Sequence, residues 1–375
     1  MKNLSVLILL FINVTVLQAQ NSFNYTVSLV PVGIPNLPGL HSFAHAQYNG
    51  KWLVIGGRKD GIHARQPFNA FPESQNNTDI YVVDVNTKQV WSASVNTLPA
   101  SIKEQMQATN ANFEQDGNSL YIVGGYAYSA TANDHLTFPY LTSVDVPGLI
   151  NAVIAGSSVT PFFKQISNDV FAVTGGQLAK FNSQFYLVGG HRFDGRYNPM
   201  NNPTFVQSYT NEIRMFTIDS SGTQLSFSNY TTITDPVHLR RRDYNLLPQI
   251  YPNGEEGLMI SSGVFQIDAD LPYLYPVEIK TTGHLPITSF NQYLSNYHSA
   301  NVSLFDAGLN EMHSLFFGGI SQYYYQNGTL IQDDQVPFVK TVSRLTRNSS
   351  GALHEFKLPL EMPNLKGAGA EFFLQ

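Results

Sequence analysis

The sequence contains no cysteine in 375 residues, and that one absence removes disulfide cross-links, thiol nucleophiles, iron–sulfur ligation and an acylated lipoprotein cysteine. Charge is scarce as well, at 13% of the chain, with 21 Lys and Arg against 27 Asp and Glu. A net charge of −6 argues against nucleic acid or anionic membranes as general partners. No HExxH pair, EF-hand loop, Walker phosphate loop or Gly-x-Ser-x-Gly elbow occurs, so neither a metal nor a cofactor is expected. Adjacent acidic pairs, Glu255-Glu256 and Asp333-Asp334, fall in turn-like segments and read as solvated charge.

The beginning of the chain sets an expectation about its destination. Lys2 supplies a positive start, residues 4–17 form an almost unbroken apolar run, and Gln18-Ala19-Gln20 offers a small residue for cleavage after Ala19. The run is short for a membrane span, and no charged stop-transfer block follows. Residues 1–19 are therefore expected to be a secretory signal peptide. Residues 20–375 are then an extracytoplasmic domain, secreted or periplasmic, with no membrane span after cleavage.

What the sequence has in abundance is aromatic and turn-forming material. Its 25 Phe, 20 Tyr, 28 Gly and 20 Pro favour strands joined by tight turns over long helices. A unit recurs: a polar or small-residue strand, a turn, an aromatic-aliphatic strand, then a glycine pair. Its copies occupy residues 41–57 (HSFAHAQYNGKWLVIGG), 105–125 (QMQATNANFEQDGNSLYIVGG), 177–190 (QLAKFNSQFYLVGG), 242–263 (RDYNLLPQIYPNGEEGLMISSG) and 297–319 (YHSANVSLFDAGLNEMHSLFFGG). A sixth beginning lies at 366–375 (KGAGAEFFLQ). Asn49-Gly50, Asp116-Gly117, Asn253-Gly254 and Gly308 stand between the paired strands, where the backbone needs a positive φ. Weaker alternating runs, such as 79–85 with 90–95 and 212–218 with 224–230, supply an outer strand pair. Pro147 and Gly156 bracket a predicted short helix. The pairs end at 57, 125, 190, 263 and 319, a spacing of 56 to 73 residues that suits a four-stranded propeller blade with long loops.

This unit resembles the kelch repeat over nearly all of residues 20–375. The resemblance implies an all-β, kelch-like β-propeller with blades starting near 41, 105, 172, 241, 297 and 366. Ser262-Gly263 replaces the glycine pair in the fourth copy, an extra Gly175-Gly176 precedes the third hairpin, and Trp91 is the one candidate for the closing tryptophan of a kelch motif. Residues 25–32 resemble 353–360 in the sequence that follows them, so they are expected to be an outermost strand. Residues 366–375 offer a single inner strand, so six blades with the last incomplete in this sequence is the expectation, and a five-bladed ring the alternative. Continuation past Gln375 into more strands or a sorting domain is left open. Copper-radical oxidases built on kelch-like blades need a cysteine cross-linked to tyrosine, which is absent here.

Antiparallel topology puts the loops after each glycine pair and the start of each inner strand on one rim, leaving short hairpin turns for the opposite rim. The long-loop rim gathers the candidate ligand-binding residues Arg58, Asp60 and His63 after the first pair, His191, Arg192, Asp194 and Arg196 after the third, and Arg242 with Asp243 at the fourth blade. Arg forks suit carboxylates and Tyr faces suit sugar rings, so the rim is expected to be locally positive and to face a glycan or acidic sugar, or an extracellular protein. The same Asp residues can instead pair with neighbouring Arg and serve the loops alone. His41 and His45 alternate along the first inner strand and are read as channel-lining or packed histidines. No catalytic residue is assigned. Binding without catalysis is the first reading; the alternative is a sugar-active enzyme similar to periplasmic N-acetylneuraminate epimerases, for which an Arg, a carboxylate and a His would have to meet at one channel mouth.

Overall fold

The structure, a computed structural model, describes residues 23–61, 69–198 and 204–374. The expected signal peptide, residues 1–19, and His63 lie outside the described residues.

Alternation along the strands builds a propeller directly. Leu120 and Ile122 point into one apolar cluster with Leu53 and Ile55, while the residues between and after them, Tyr121 and Val123, point into a second with Phe185 and Leu187. Tyr186 and Val188 then enter a third with Leu258 and Ile260, and Met259 a fourth with Phe316 and Leu345. Each central strand thus feeds two cores, one on each face, as period-two side-chain geometry dictates. Burying each such side chain stabilises the fold by roughly 1.5–3 kcal/mol. The cores lie between successive sheets, which is what stacks the sheets radially.

Five sheets are four-stranded antiparallel meanders. Their innermost strands are Ala44–Tyr48, Asn112–Asp116, Gln177–Phe181, Asn245–Ile250 and Asn301–Asp306. The outer pairs read from the sequence are present, as Asp79–Asp84 with Gln89–Ser94 and Glu212–Asp219 with Ser226–Thr234. The predicted helix forms as Val146–Ala155, with Asp145 capping its start and Gly156 left-handed at its end. It lies between the third and fourth strands of the second sheet and packs on the first-sheet core, so the rim opposite the long loops carries more than tight turns.

A ring of backbone hydrogen bonds ties the inner strands together. Asn110 donates to Ser42 (3.1 Å), Gly175 to Asn110 (3.1 Å), Asp243 to Gly175 (2.7 Å), His298 to Asp243 (2.7 Å), Gly369 to His298 (3.1 Å), and Ser42 closes the ring onto Gly369 (2.9 Å). The ring has six stations, five of them leading into a complete sheet. Glycine pairs are needed because two backbones meet there: a Cβ on Gly57, at φ +83°, would stand 2.6 Å from the His41 carbonyl oxygen. Ser262 takes the left-handed conformation in the fourth pair and donates its hydroxyl to the Tyr273 carbonyl (2.5 Å).

The segment expected to be an outermost strand, 25–32, joins no ladder among the described residues. Phe23, Val27 and Leu29 instead pack against the fifth sheet, over Leu315, Phe317, Val342 and Leu358.

Candidate functional site

The loops after the second and third glycine pairs are not irregular. Tyr126–Ser129, Asp134–Thr137, His191–Gly195 and Phe205–Tyr209 form a further four-stranded sheet that stands on the long-loop rim. Its two hairpins meet at Asp194 and Leu136, where the Thr137 hydroxyl donates to the Phe193 carbonyl (3.0 Å) and accepts from the Phe193 N–H (2.9 Å). The Tyr126 hydroxyl donates to the Gly195 carbonyl at 2.8 Å. A shorter hairpin, Tyr323–Gln326 with Thr329–Gln332, follows the fifth pair.

Most of the rim candidates spend their polar groups on this architecture. Arg58 is 1% exposed, held bidentately by Asp60 (2.9 and 2.8 Å) and by Asn76 (2.9 Å), with its guanidinium over Phe71. Arg192 and Asp194, two residues apart on one strand and so on the same side of it, pair in the open at 2.9 Å. His191 is buried against Phe193 and Tyr209, with Nδ1 accepting from Gln207 at 2.8 Å. Burial, then the neighbouring Arg242, hold its pKa well below the usual histidine value, so it stays neutral. Arg196 donates to the Ala70 carbonyl at 2.8 Å. Each of Arg58, Arg192 and Arg242 therefore has an acidic partner, which reduces the expected positive surplus of the rim.

Arg242 and Asp243 lead to the axis. Their side chains pair at 3.1 Å, and the Arg242 guanidinium lies 4.6 Å from the centre of the Phe265 ring. Its Nε is buried with no hydrogen-bond partner among the described residues. Asp243 is itself a station of the backbone ring, and beside it a small cavity of about 20 Å³, the room of one water, opens between Ser42, Asn110, Gly175, Asp243, His298 and Glu371.

Glu371 organises that cavity. Its carboxylate lies 3.3 Å from His298 and 3.8 Å from His45, and all three side chains are four-fifths or more buried. The two imidazoles diverge in their proton affinity. Burial disfavours charge on His298, but Glu371 and then Asp243 outweigh it and raise its pKa above the ordinary value. Burial prevails at His45, helped by the nearby His298 and opposed by Glu371, so its pKa is lowered. Two imidazoles whose proton affinities are shifted in opposite directions thus share one carboxylate beside this cavity.

Of the nine candidates read from the sequence, the structure brings His191, Arg242 and Asp243 near one another and turns Arg192 and Asp194 outward. Glu371 is absent from that set; it is the single acidic residue of the sixth copy, two positions past a ring station. Among the described residues no group of three or more His, Asp or Glu is arranged to hold a metal ion. Neither a protein-family model nor a curated protein matches the chain.

Proposed function

We propose that the protein is an exported kelch-like propeller that recognises a glycan, with an acidic sugar residue as its anchor, on the long-loop face. The observation that carries this reading is convergence: the rim sheet, the Tyr323–Gln332 hairpin, the Arg242–Asp243 pair and the Glu371 group all open on the same side of the same axis. Loops and rim strands held by a rigid scaffold are where binding groups concentrate. Tyr325 at the hairpin, 40% exposed, and Tyr323, in edge-to-face contact with Tyr293, offer ring faces for sugars. His298, whose proton affinity is raised by Glu371, and the Arg242 fork offer donors to a carboxylate or to hydroxyls.

A glycan-array screen of the mature protein tests this, with Glu371→Gln and Arg242→Met as site variants and Lys180→Ala, on the inner strand of the third sheet, as a control. Binding to acidic glycans that the two site variants lose and the control retains supports the reading. Binding that both site variants keep unchanged rejects it.

A second reading is favoured by the meeting of an Arg, two carboxylates and two histidines at one mouth, the convergence that a sugar-active enzyme similar to periplasmic N-acetylneuraminate epimerases would require. His45 would take a proton from an anomeric hydroxyl while His298 returns one to the ring oxygen, opening the sugar without net proton change. Accelerated anomer exchange of a free sugar acid, followed by NMR and lost in His45→Gln, separates catalysis from recognition alone.

A further inference from the structure

The extra glycine pair, Gly175-Gly176, departs from the repeat at the third ring station. Gly176 answers to packing: a Cβ there would stand 2.6 Å from the Val188 carbonyl oxygen and 2.9 Å from that of Gly189, both fixed backbone. Gly175 does not. Its φ of +65° does not require glycine at a station of the ring, because Ser42, Asn110 and Asp243 hold +53°, +50° and +52° at theirs. The three atoms nearest to a Cβ on residue 175 all belong to side chains: Asp243 Oδ1 at 2.9 Å, His191 Nε2 at 3.3 Å and Arg242 Cβ at 3.6 Å.

Backbone hydrogen bonds deliver those side chains. Thr174 and His191 exchange N–H to carbonyl bonds (2.8 and 3.0 Å), which sets the imidazole beside residue 175, and the Asp243 N–H donates to the Gly175 carbonyl (2.7 Å). Gln207 donates to His191 Nδ1, so in the neutral ring Nε2 carries the proton. Arg242 donates to Asp243 Oδ2 at 3.1 Å and leaves Oδ1. Among the described residues, neither His191 Nε2 nor Asp243 Oδ1 has a hydrogen-bond partner. The position of the missing Cβ is therefore a notch between one donor and one acceptor, each near hydrogen-bond distance from an oxygen seated there. Gly175 and Asp243 also line the axial cavity, so the notch lies on its wall.

On the reading that the axial mouth is the ligand site, we propose that this notch seats one hydroxyl of the ligand, which accepts from His191 Nε2 and donates to Asp243 Oδ1, and that Gly175 sets specificity by leaving room for it. The opposite characters of the two lining atoms select the group. An ammonium would donate to Asp243 but leave the His191 N–H unpaired, a carboxylate would face the Asp243 charge, and a methyl group would leave both atoms unpaired. A hydroxyl accepts and donates at once and satisfies both.

Calorimetric titration with free glucuronate and each of its monodeoxy analogues tests this on the wild-type protein, Gly175→Ala, His191→Phe and Gly369→Ala. The last is a control at the opposite station of the ring, at φ +63°, where a Cβ would meet the Ser42 hydroxyl instead. Wild type is expected to bind one monodeoxy analogue about tenfold or more weakly than glucuronate. In Gly175→Ala the new methyl takes the place of the hydroxyl, so that same analogue is expected to bind as well as glucuronate or better. His191→Phe, which keeps a ring and removes the donor, is expected to narrow the same gap, and Gly369→Ala to keep the wild-type ranking. Analogues that all bind wild type as glucuronate does, or a ranking that Gly175→Ala and His191→Phe leave unchanged, overturn the subsite and leave the proposed function standing. Glucuronate that fails to bind the wild-type protein overturns both.

Discussion

The Glu371 carboxylate lies 3.3 Å from the His298 imidazole, so the sixth station of the backbone ring is joined to the fifth by this side-chain contact as well as by the Gly369 to His298 hydrogen bond. That contact sets the acid–base character of the channel mouth.

His298 is expected to titrate above 6.5 and His45 below it, as read from imidazole signals in an NMR pH series. A histidine whose folded pKa is raised adds stability that is fully present below pH 6.5 and is lost as pH rises through the folded value. His45, with its folded pKa lowered, instead costs stability as pH falls below 6.5. Glu371→Gln should bring the His298 pKa down, and an unchanged His298 titration in that variant would dismiss Glu371 as its cause.

Arg241 distinguishes a framework arginine from a site arginine. Its guanidinium is buried between the Tyr273 and Tyr275 rings, and it donates to the carbonyls of His238 (2.8 Å), Ser262 (2.7 Å) and Tyr275 (2.6 Å). Arg241→Met should destabilise the protein by about 3 kcal/mol in denaturant unfolding, since several charge-assisted bonds to buried carbonyls are lost together. Arg192→Ala, removing an exposed pair, should change stability by less than about 1 kcal/mol. Equal effects would contradict the division of roles.

Gly190→Ala should cost about 2–4 kcal/mol, because its backbone is at φ +82° and the new Cβ would stand 2.7 Å from the Gly176 nitrogen and 2.8 Å from the Thr174 carbonyl oxygen. Gly156→Ala, at φ +65° but with open space around it, should cost about 1 kcal/mol. Thermal unfolding of the two variants side by side checks the claim that the glycine pairs are demanded by close approach of two backbones as well as by φ.

The repeat was legible because its punctuation is local: only a few residue types take the left-handed turn at Asn49-Gly50 or the crowded position of Gly57, so the backbone writes itself into the sequence. The helix bracketed by Pro147 and Gly156 was legible for the same reason. The rim sheet was not, since its two hairpins come from different blades and each alone looks like a polar loop until Asp194 meets Leu136. Glu371 was hidden by distance along the chain; its partners His45 and His298 come within reach only when the backbone ring closes. Arg58–Asp60 and Arg192–Asp194 were visible as basic and acidic neighbours, but the i, i+2 spacing that made them conspicuous also lets each pair satisfy itself.

The most direct test of the axial mouth as a ligand site is an NMR titration of the wild-type protein with free glucuronate, following the His45 and His298 imidazole signals. The account predicts saturable shifts at both histidines that disappear in Glu371→Gln while the fold is retained. Imidazole signals that stay fixed through the titration, or shifts that persist unaltered in Glu371→Gln, would contradict it.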